Sequence, residues 1–235
     1  MIDESDLLRT PEKACCPDSR VLALARVDVR TGLIRQSNLK DQYAVVGSFL
    51  LNSTVPEDIA IQFETAKNLY LYAWFVFRFY PVAERQVFAT LEFALRERQS
   101  EFVAAYSAKR MDREPGLGAL LRNAIESGIV RNDAFRAREQ WALARAQARY
   151  SQEITEKMAA EGLTEMVMDY SRVRPAEEDL NHDWLKDFLD AIPYLRNMHA
   201  HGSGVLYHSV LHTFEVVTEL TNQLYPEALA INGAV

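Results

Sequence analysis

The stretch that decides the fold class is NDAFRAREQWALARAQARYSQEITEKMAAEG, residues 132–162. It is rich in alanine, and Trp141, Ala144 and Ala148 recur at helical spacing along one side. Asn132 or Asp133 is a suitable N-terminal cap, and a glycine at position 162 ends the pattern. These features predict a long helix with one apolar side.

Helical periodicity continues on both sides of this stretch. Residues 56–80 predict a helix capped by Ser53 or Thr54, although the aromatic run at 70–80 also fits a strand by residue type. Pro81 either kinks this helix or starts a second one over residues 81–99. In the second helix, Glu92 and Arg96 form a favourable i,i+4 pair.

Three more helices are predicted in the rest of the chain. A short one ends at Gly128, and another begins at an Asn181 cap and ends at Gly202. The last runs from about residue 205 to 224, and its apolar face is expected to contain Leu206, Val210, Phe214, Val217, Leu220 and Leu224. Long helices joined by short breaks predict an all-α fold, an antiparallel helical bundle over residues 56–235.

Residues 1–55 differ from this pattern and are predicted to form a separate arm. β-Branched residues flank Thr31-Gly32, which favours an irregular arm or a short β-hairpin. The adjacent Cys15 and Cys16 are the only cysteines, so they suit neither a disulfide framework nor a thiolate zinc site.

Overall composition limits the classes of partner. The net charge of the 235-residue chain is −7, which disfavours tight non-specific binding of nucleic acid but allows a local basic groove. No apolar signal core is visible at the N-terminus, and the most apolar run carries Arg78 and is short for a membrane span. We therefore expect a cytoplasmic protein with no membrane association.

The strongest functional signal is YLRNMHAHGSG, residues 194–204, at the end of the predicted 181–202 helix. On a regular helix Asn197 and His201 share a face, whereas Arg196 and His201 are about 140° apart. A kink or restart at Pro193, a left-handed end at Gly202 or pairing with a second subunit would loosen that restriction. The stretch therefore gathers groups that bind phosphate and transfer protons.

The residues Arg196, Asn197 and His201 resemble the R-X4–6-H motif of the HEPN superfamily, in which a polar residue often follows the arginine. The resemblance implies a helical bundle that forms a homodimer, bringing two motifs together. It implies a metal-independent endoribonuclease of a toxin–antitoxin, phage-defence or RNA-processing system, with no cofactor and with an antitoxin or another protein as a candidate partner. His199 lies within the spacer, and residues 1–55 have no counterpart in the resemblance.

The chemistry of these side chains suits RNA cleavage through the internal 2′-OH. A histidine can take or give a proton near neutral pH, and a guanidinium can bind the charged phosphate oxygens. Arginine and histidine in a last helical turn also serve as plain helix caps. A non-catalytic HEPN-like module that binds RNA, a nucleotide or a protein therefore stays open as the alternative function.

Two further groups of residues are candidates for binding. Arg138, Arg145 and Arg149 recur along the 132–162 helix and predict a groove for the RNA backbone, with a solvated face as the alternative. His208 and His212 have the i,i+4 spacing of a metal-chelating pair on the last helix, although no metal is expected there. With Glu215 and Glu219 they instead predict a solvated face opposite the apolar one.

Overall fold

The structure is a computed structural model that describes residues 4–27, 33–110, 112–200 and 207–227. Within them it contains helices α1 to α9, with bounds Leu39–Gly47, Glu57–Tyr72, Phe79–Arg98, Ser100–Lys109, Leu117–Glu126, Arg138–Glu161, Glu177–Leu180, Trp184–Ala200 and Leu211–Leu224. Strands β1 (Ala25–Val27) and β2 (Ile34–Gln36) form one antiparallel pair. The predicted all-α bundle with a short β-hairpin is therefore confirmed.

Helix α3 lies at the centre of the bundle, where it contacts α2, α4, α5, α8 and α9. Val87, Phe88, Leu91, Ala94 and Leu95 recur every three or four residues and are all buried. Burial of each large apolar side chain contributes about 2 kcal/mol before the entropic cost of folding. The central helix is thus specified by its own apolar pattern.

Helix α9 supplies the opposite wall of the core. Val210, Phe214, Val217, Leu220 and Leu224 are each at most 1% exposed, as the predicted apolar face requires. Leu206 lies outside the described residues. The predicted start of this helix is wrong, because α9 begins at Leu211 and residues 207–210 precede it in an irregular conformation.

The aromatic run at residues 70–80 is not one helix. Helix α2 ends at Tyr72 and α3 begins at Phe79, two residues before Pro81. Between them the chain turns, which allows Tyr70 and Phe77 to pack edge-on against Tyr80 at ring distances of 5.3 and 5.1 Å. Burial of the aromatic rings against one another explains why the run reverses direction.

The arm is anchored to this turn by buried polar contacts. Asp18, which is fully buried, accepts hydrogen bonds from the Arg20 side chain and from the backbone N–H of Phe77. Helix α1, which the sequence did not predict, begins with a capping box formed by Asn38 and Asp41. The Asp18 contact ties the arm to the α2–α3 turn, and Gln42 of α1 donates to the carbonyl of Tyr70 at the end of α2.

Several predicted helix caps are wrong. Pro56, rather than Ser53 or Thr54, occupies the cap position of α2, and the Thr54 hydroxyl donates to the carbonyl of Tyr225 at 2.7 Å. Helix α6 begins at Arg138 and not at residues 132–133. A short 3-10 turn, Asn132–Ala134, precedes it.

The two asparagines expected to cap helices serve other elements. Asn132 accepts a hydrogen bond from the backbone N–H of Leu185 at 3.0 Å, so it binds the start of α8. Asn181 Oδ1 accepts from Arg138 Nη2 of α6 at 3.3 Å, whereas Asp183 accepts from the N–H of Lys186. A capping side chain binds the free N–H group that is nearest in space, and for Asn132 that group belongs to α8 and not to the helix that follows it in sequence.

The predicted C-terminal glycines are correct where the structure describes them. Gly128 and Gly162 have φ angles of +70° and +66°, which is the left-handed conformation that glycine adopts without strain. Gly202 lies outside the described residues. Among the described helices, none combines the length and apolar character needed to cross a membrane.

Candidate functional site

Arg196 and Asn197 lie in the last turns of α8, on a helix that continues unbroken through Pro193. The Arg196 Nη2 atom is 3.1 Å from Glu92 Oε2 on α3, and Nη1 donates to Asn197 Oδ1 at 3.4 Å. The Arg196 side chain is 41% exposed. The guanidinium is therefore held on one side and open to solvent on the other.

Glu92 is shared by two arginines. Its Oε1 atom accepts from Arg96 Nη2 at 2.8 Å, which confirms the predicted i,i+4 pair, and its Oε2 atom accepts from Arg196. Arg96 also binds Glu114 and the carbonyl oxygen of Pro115. The network joins α3, the α4–α5 connection and the end of α8, so it fixes where Arg196 is presented.

A second carboxylate on α3, which sequence reasoning missed, binds the chain that follows the motif. Glu84 is 3% exposed and accepts hydrogen bonds from the Tyr207 hydroxyl and from Thr213 Oγ1, the latter at 2.5 Å. Burial and the nearby Glu84 both raise the pKa of Tyr207. A carboxylate within the apolar pattern of a helix is the sequence signal that could have indicated this site.

The two carboxylates anchor the chain on both sides of His201. Glu92 binds Arg196, five residues before His201, and Glu84 binds Tyr207, six residues after it. Eight residues of helix separate the two carboxylates, a rise of roughly 12 Å. His201 itself lies outside the described residues, so the third motif residue stays a prediction.

The three arginines of α6 all have partners within the chain. Arg138 Nε donates to the carbonyl oxygen of Leu180 at 2.8 Å. Arg149 binds Asp179 and Glu178, each at 2.7 Å, and Arg145 lies 3.3 Å from Asp179.

Asp179 is the centre of this arginine contact. It is fully buried, and hydrogen bonds from Arg149 lower its pKa although burial opposes that shift. Two carboxylates offset the charges of Arg145 and Arg149, whereas Arg138 binds a neutral carbonyl. The expected role of these arginines in RNA binding stays a prediction, and Arg138 has the least compensated charge of the three.

The helical spacing assumed for His208 and His212 is wrong, because His208 precedes α9. The His208 ring lies 6.3 Å from the rings of Phe77 and Tyr80, whereas His212 Nδ1 is 3.2 Å from Glu215 Oε2. No cluster of three or more histidine, cysteine or acidic side chains that could hold a metal ion occurs in the described ranges.

The face predicted to be solvated is partly covered by residues that lead into and begin α6. Glu215 accepts a hydrogen bond from the Trp141 indole at 2.9 Å, and Glu219 accepts from the backbone N–H of Arg136 at 2.7 Å. The pKa of Glu215 is lowered by His212, with Trp141 acting in the same direction, whereas burial raises the pKa of Glu219. These acidic side chains stabilise the packing of α9 against the chain around α6.

Comparison with known proteins identifies no relative of this chain. No family model matches the chain, and it matches neither a curated protein nor a solved structure. The likeness of residues 196–201 to the HEPN motif therefore stays a resemblance in a short segment.

Proposed function

We propose that the protein is a metal-independent endoribonuclease of HEPN type, with Arg196, Asn197 and His201 at its catalytic site. The observation that supports this most is the presentation of Arg196. Its guanidinium is bound by Glu92, and the Arg196 side chain is 41% exposed, five residues before a histidine. A fixed, exposed guanidinium can bind a phosphate group without first paying the entropic cost of ordering its side chain.

The proposed reaction is an attack of the RNA 2′-oxygen on the adjacent phosphorus. The P–O2′ bond forms while the P–O5′ bond breaks, and the products are a 2′,3′-cyclic phosphate and a 5′-hydroxyl. His201 either accepts the proton of the 2′-OH or donates a proton to the leaving 5′-oxygen, and water carries out the other of these two transfers. Arg196 stabilises the negative charge on the non-bridging oxygens, and the exposed Asn197 orients substrate or imidazole.

We further propose a homodimer in which two copies of the motif meet across a two-fold axis. Such an arrangement would let His201 of one copy approach Arg196 of the other, which removes the angular restriction of a single straight helix. A toxin or phage-defence role, with an antitoxin as protein partner, belongs to the same proposal. Size-exclusion chromatography with light scattering tests the dimer.

The decisive experiment is cleavage of a mixed RNA pool in EDTA, followed by analysis of the product ends. We expect native protein to produce 2′,3′-cyclic phosphate ends, and Arg196→Ala and His201→Ala each to lower cleavage by at least about 100-fold. The matched controls Arg172→Ala and His208→Ala change residues of the same types elsewhere in the chain. Cleavage that survives both motif substitutions rejects the proposed site.

The second candidate is a non-catalytic module that binds RNA or a protein. The observation that favours it, with a protein as the partner, is the net charge of −7, which opposes the approach of RNA. It predicts no cleavage by native protein. Instead, Arg196→Ala would weaken binding of RNA or of a second subunit, which filter binding and light scattering measure.

A further inference from the structure

A cleft lies between the arm and the aromatic turn, on residues outside the proposed cleavage site. Its volume is about 190 Å³, and its walls come from the hairpin, α1, the α2–α3 turn and the chain just before α9. A cavity of roughly 150 Å³ can take a benzene ring. The cleft is therefore large enough for one aromatic ring with a small substituent.

Aromatic side chains form the inner wall of this cleft. Tyr70, Trp74 and Tyr80 all line it and are at most 6% exposed, so they are held firmly by the bundle. His208 lies at the edge, with its ring 6.3 Å from that of Tyr80. Such a wall favours a planar, apolar group that can pack against the rings.

One hydroxyl on this wall has no hydrogen-bond partner among the residues that the structure describes. The Tyr80 hydroxyl donates to Gln42 Oε1 at 2.8 Å, and the Gln42 amide donates to the Tyr70 carbonyl. The Tyr70 hydroxyl makes no hydrogen bond within the described part of the chain, although the residue is 6% exposed. The hydroxyl is not fully sealed from solvent, and Tyr70 is one of the residues that line the cleft. A nearly buried donor in a cleft calls for an acceptor.

Among the described residues, one cation, Arg26, and one anion, Asp41, line the cleft. Arg26 lines it and makes neither a hydrogen bond nor a salt bridge with any described residue. Asp41, the carboxylate on the wall, accepts two hydrogen bonds from Arg35 at 2.5 and 2.6 Å, and the charge of Arg26 also contributes to lowering its pKa. Burial raises the pKa of Tyr70 to about 12, and the charge of Arg26 acts in the opposite direction, which places the guanidinium in the electrostatic reach of the hydroxyl.

We propose that this cleft binds a small aromatic anion, an aromatic ring that carries a carboxylate or a phosphate group. The ring packs against Trp74 and Tyr80, and the anionic oxygens accept from Arg26 and from the Tyr70 hydroxyl. The proposal is independent of RNA cleavage, because it uses none of the residues assigned to that reaction.

The test is isothermal titration calorimetry of the full chain with two aromatic anions, benzoate and phenyl phosphate. Benzyl alcohol has the ring without the charge, and acetate and inorganic phosphate have the charge without the ring. We expect a Kd on the order of 1 mM or tighter for an aromatic anion, and at least about tenfold weaker binding of the three comparison compounds. The ratio between benzoate and phenyl phosphate distinguishes a carboxylate ligand from a phosphate ligand.

Two substitutions connect the binding to the cleft. Arg26→Gln is expected to weaken binding of the aromatic anion about tenfold and to leave binding of benzyl alcohol unchanged. Tyr70→Phe is expected to weaken binding of the aromatic anion about three- to tenfold. Tyr70→Phe removes a hydroxyl without a partner in the described chain, so the fold is retained. Arg172→Gln, which removes the same charge from a side chain that is 90% exposed elsewhere, serves as the control.

Three results would overturn the proposal. The first is no saturable binding of either aromatic anion up to the order of 10 mM. The second is equal binding of benzoate and acetate, which would show that the ring contributes nothing. The third is binding that neither Arg26→Gln nor Tyr70→Phe weakens beyond the Arg172→Gln control.

Discussion

Asp18 and Glu92 are both carboxylates that arginines share, yet their surroundings differ. Asp18 is fully buried and binds Arg20 at 2.8 Å, Arg9 at 3.4 Å and the backbone N–H of Phe77 at 3.2 Å. The Glu92 side chain is 12% exposed and, among the described residues, binds only arginine side chains, of which that of Arg196 is 41% exposed.

This difference in burial distinguishes a contact that only stabilises the fold from one that can position a residue of a binding or catalytic site. At Asp18, burial acts to raise the pKa, but hydrogen bonds from Arg20 and from backbone N–H groups lower it further than burial raises it. Its hydrogen-bonding capacity is used inside the fold. At Glu92 the carboxylate binds an arginine whose side chain remains partly exposed to solvent. The ion pair at Glu92 therefore leaves a cation accessible to a ligand, whereas the ion pair at Asp18 stabilises the interior.

The largest effect is expected at the closed contact. Asp18→Asn removes the charge that compensates Arg20 and should lower the free energy of unfolding by about 3 kcal/mol, near the lower end for a broken buried pair because the Arg20 side chain is 25% exposed. Urea denaturation measures it. Asp133→Asn, whose side chain is 65% exposed, is the control and should cost less than about 0.5 kcal/mol. Similar costs at both positions would contradict the assignment of Asp18 as the anchor of the arm.

A smaller effect on stability is expected at the open contact. Glu92→Gln should cost about 1 kcal/mol, since both arginine partners are partly exposed. If the proposed ribonuclease is correct, cleavage should fall about tenfold or more, because Arg196 loses its fixed position. Of the two arginines that Glu92 binds, only Arg96 contacts Glu114 in the described structure. Glu114→Gln should therefore leave cleavage intact. Equal losses in both variants would argue against positioning of Arg196 by Glu92.

Asp179 sharpens the comparison, because it combines a buried carboxylate with two partly exposed arginines. Arg149 binds it at 2.7 Å and Arg145 at 3.3 Å, so Arg149→Ala should lower the urea midpoint more than Arg145→Ala. Both changes should be smaller than that of Asp18→Asn, because water replaces part of each lost contact. A larger effect of Arg145→Ala would show that distance does not decide the strength of this pair.

The smallest effect concerns acid conditions and Asp6, which binds Arg20 and Arg78. Hydrogen bonds from Arg78 and Arg20 lower the pKa of Asp6 to about 2 from its ordinary value of 3.8. Because the pKa of Asp6 is lower in the folded state, the contribution of Asp6 to the free energy of unfolding is complete above about pH 4. This contribution is lost as the pH falls through about 2. The difference in urea midpoint between native protein and Asp6→Asn should therefore be present at pH 5 and shrink by pH 2. A difference that grows in acid would reverse the assigned sign.

Much of the bundle could be predicted because its signals are local. The apolar spacing of α9, the Glu92–Arg96 pair and the glycines at 128 and 162 depend on residues within one or two turns of each other. The caps were predicted poorly for the opposite reason. Asn132 lies beside the start of α8 in space, 53 residues along the chain from the Leu185 N–H that it accepts from.

The candidate site shows the same division. The sequence indicated Arg196 and Asn197 through residue type and spacing, but it gave no sign that Glu92 holds the arginine from 104 residues away. Glu84 and Asp18 were missed because an acidic residue in a sequence is ordinarily assigned to the surface. Their burial became evident only from the partners that compensate them.

By itself the sequence determined that this protein is a helical bundle with a hairpin arm, because the apolar periodicity of each helix requires a shared core. It also determined which residue types gather at the end of α8. The tertiary structure alone decided which carboxylates are buried and which arginine stays open, because an ion pair between distant segments forms only when packing brings its two partners into contact. For the same reason, only the fold created the aromatic cleft beside Arg26.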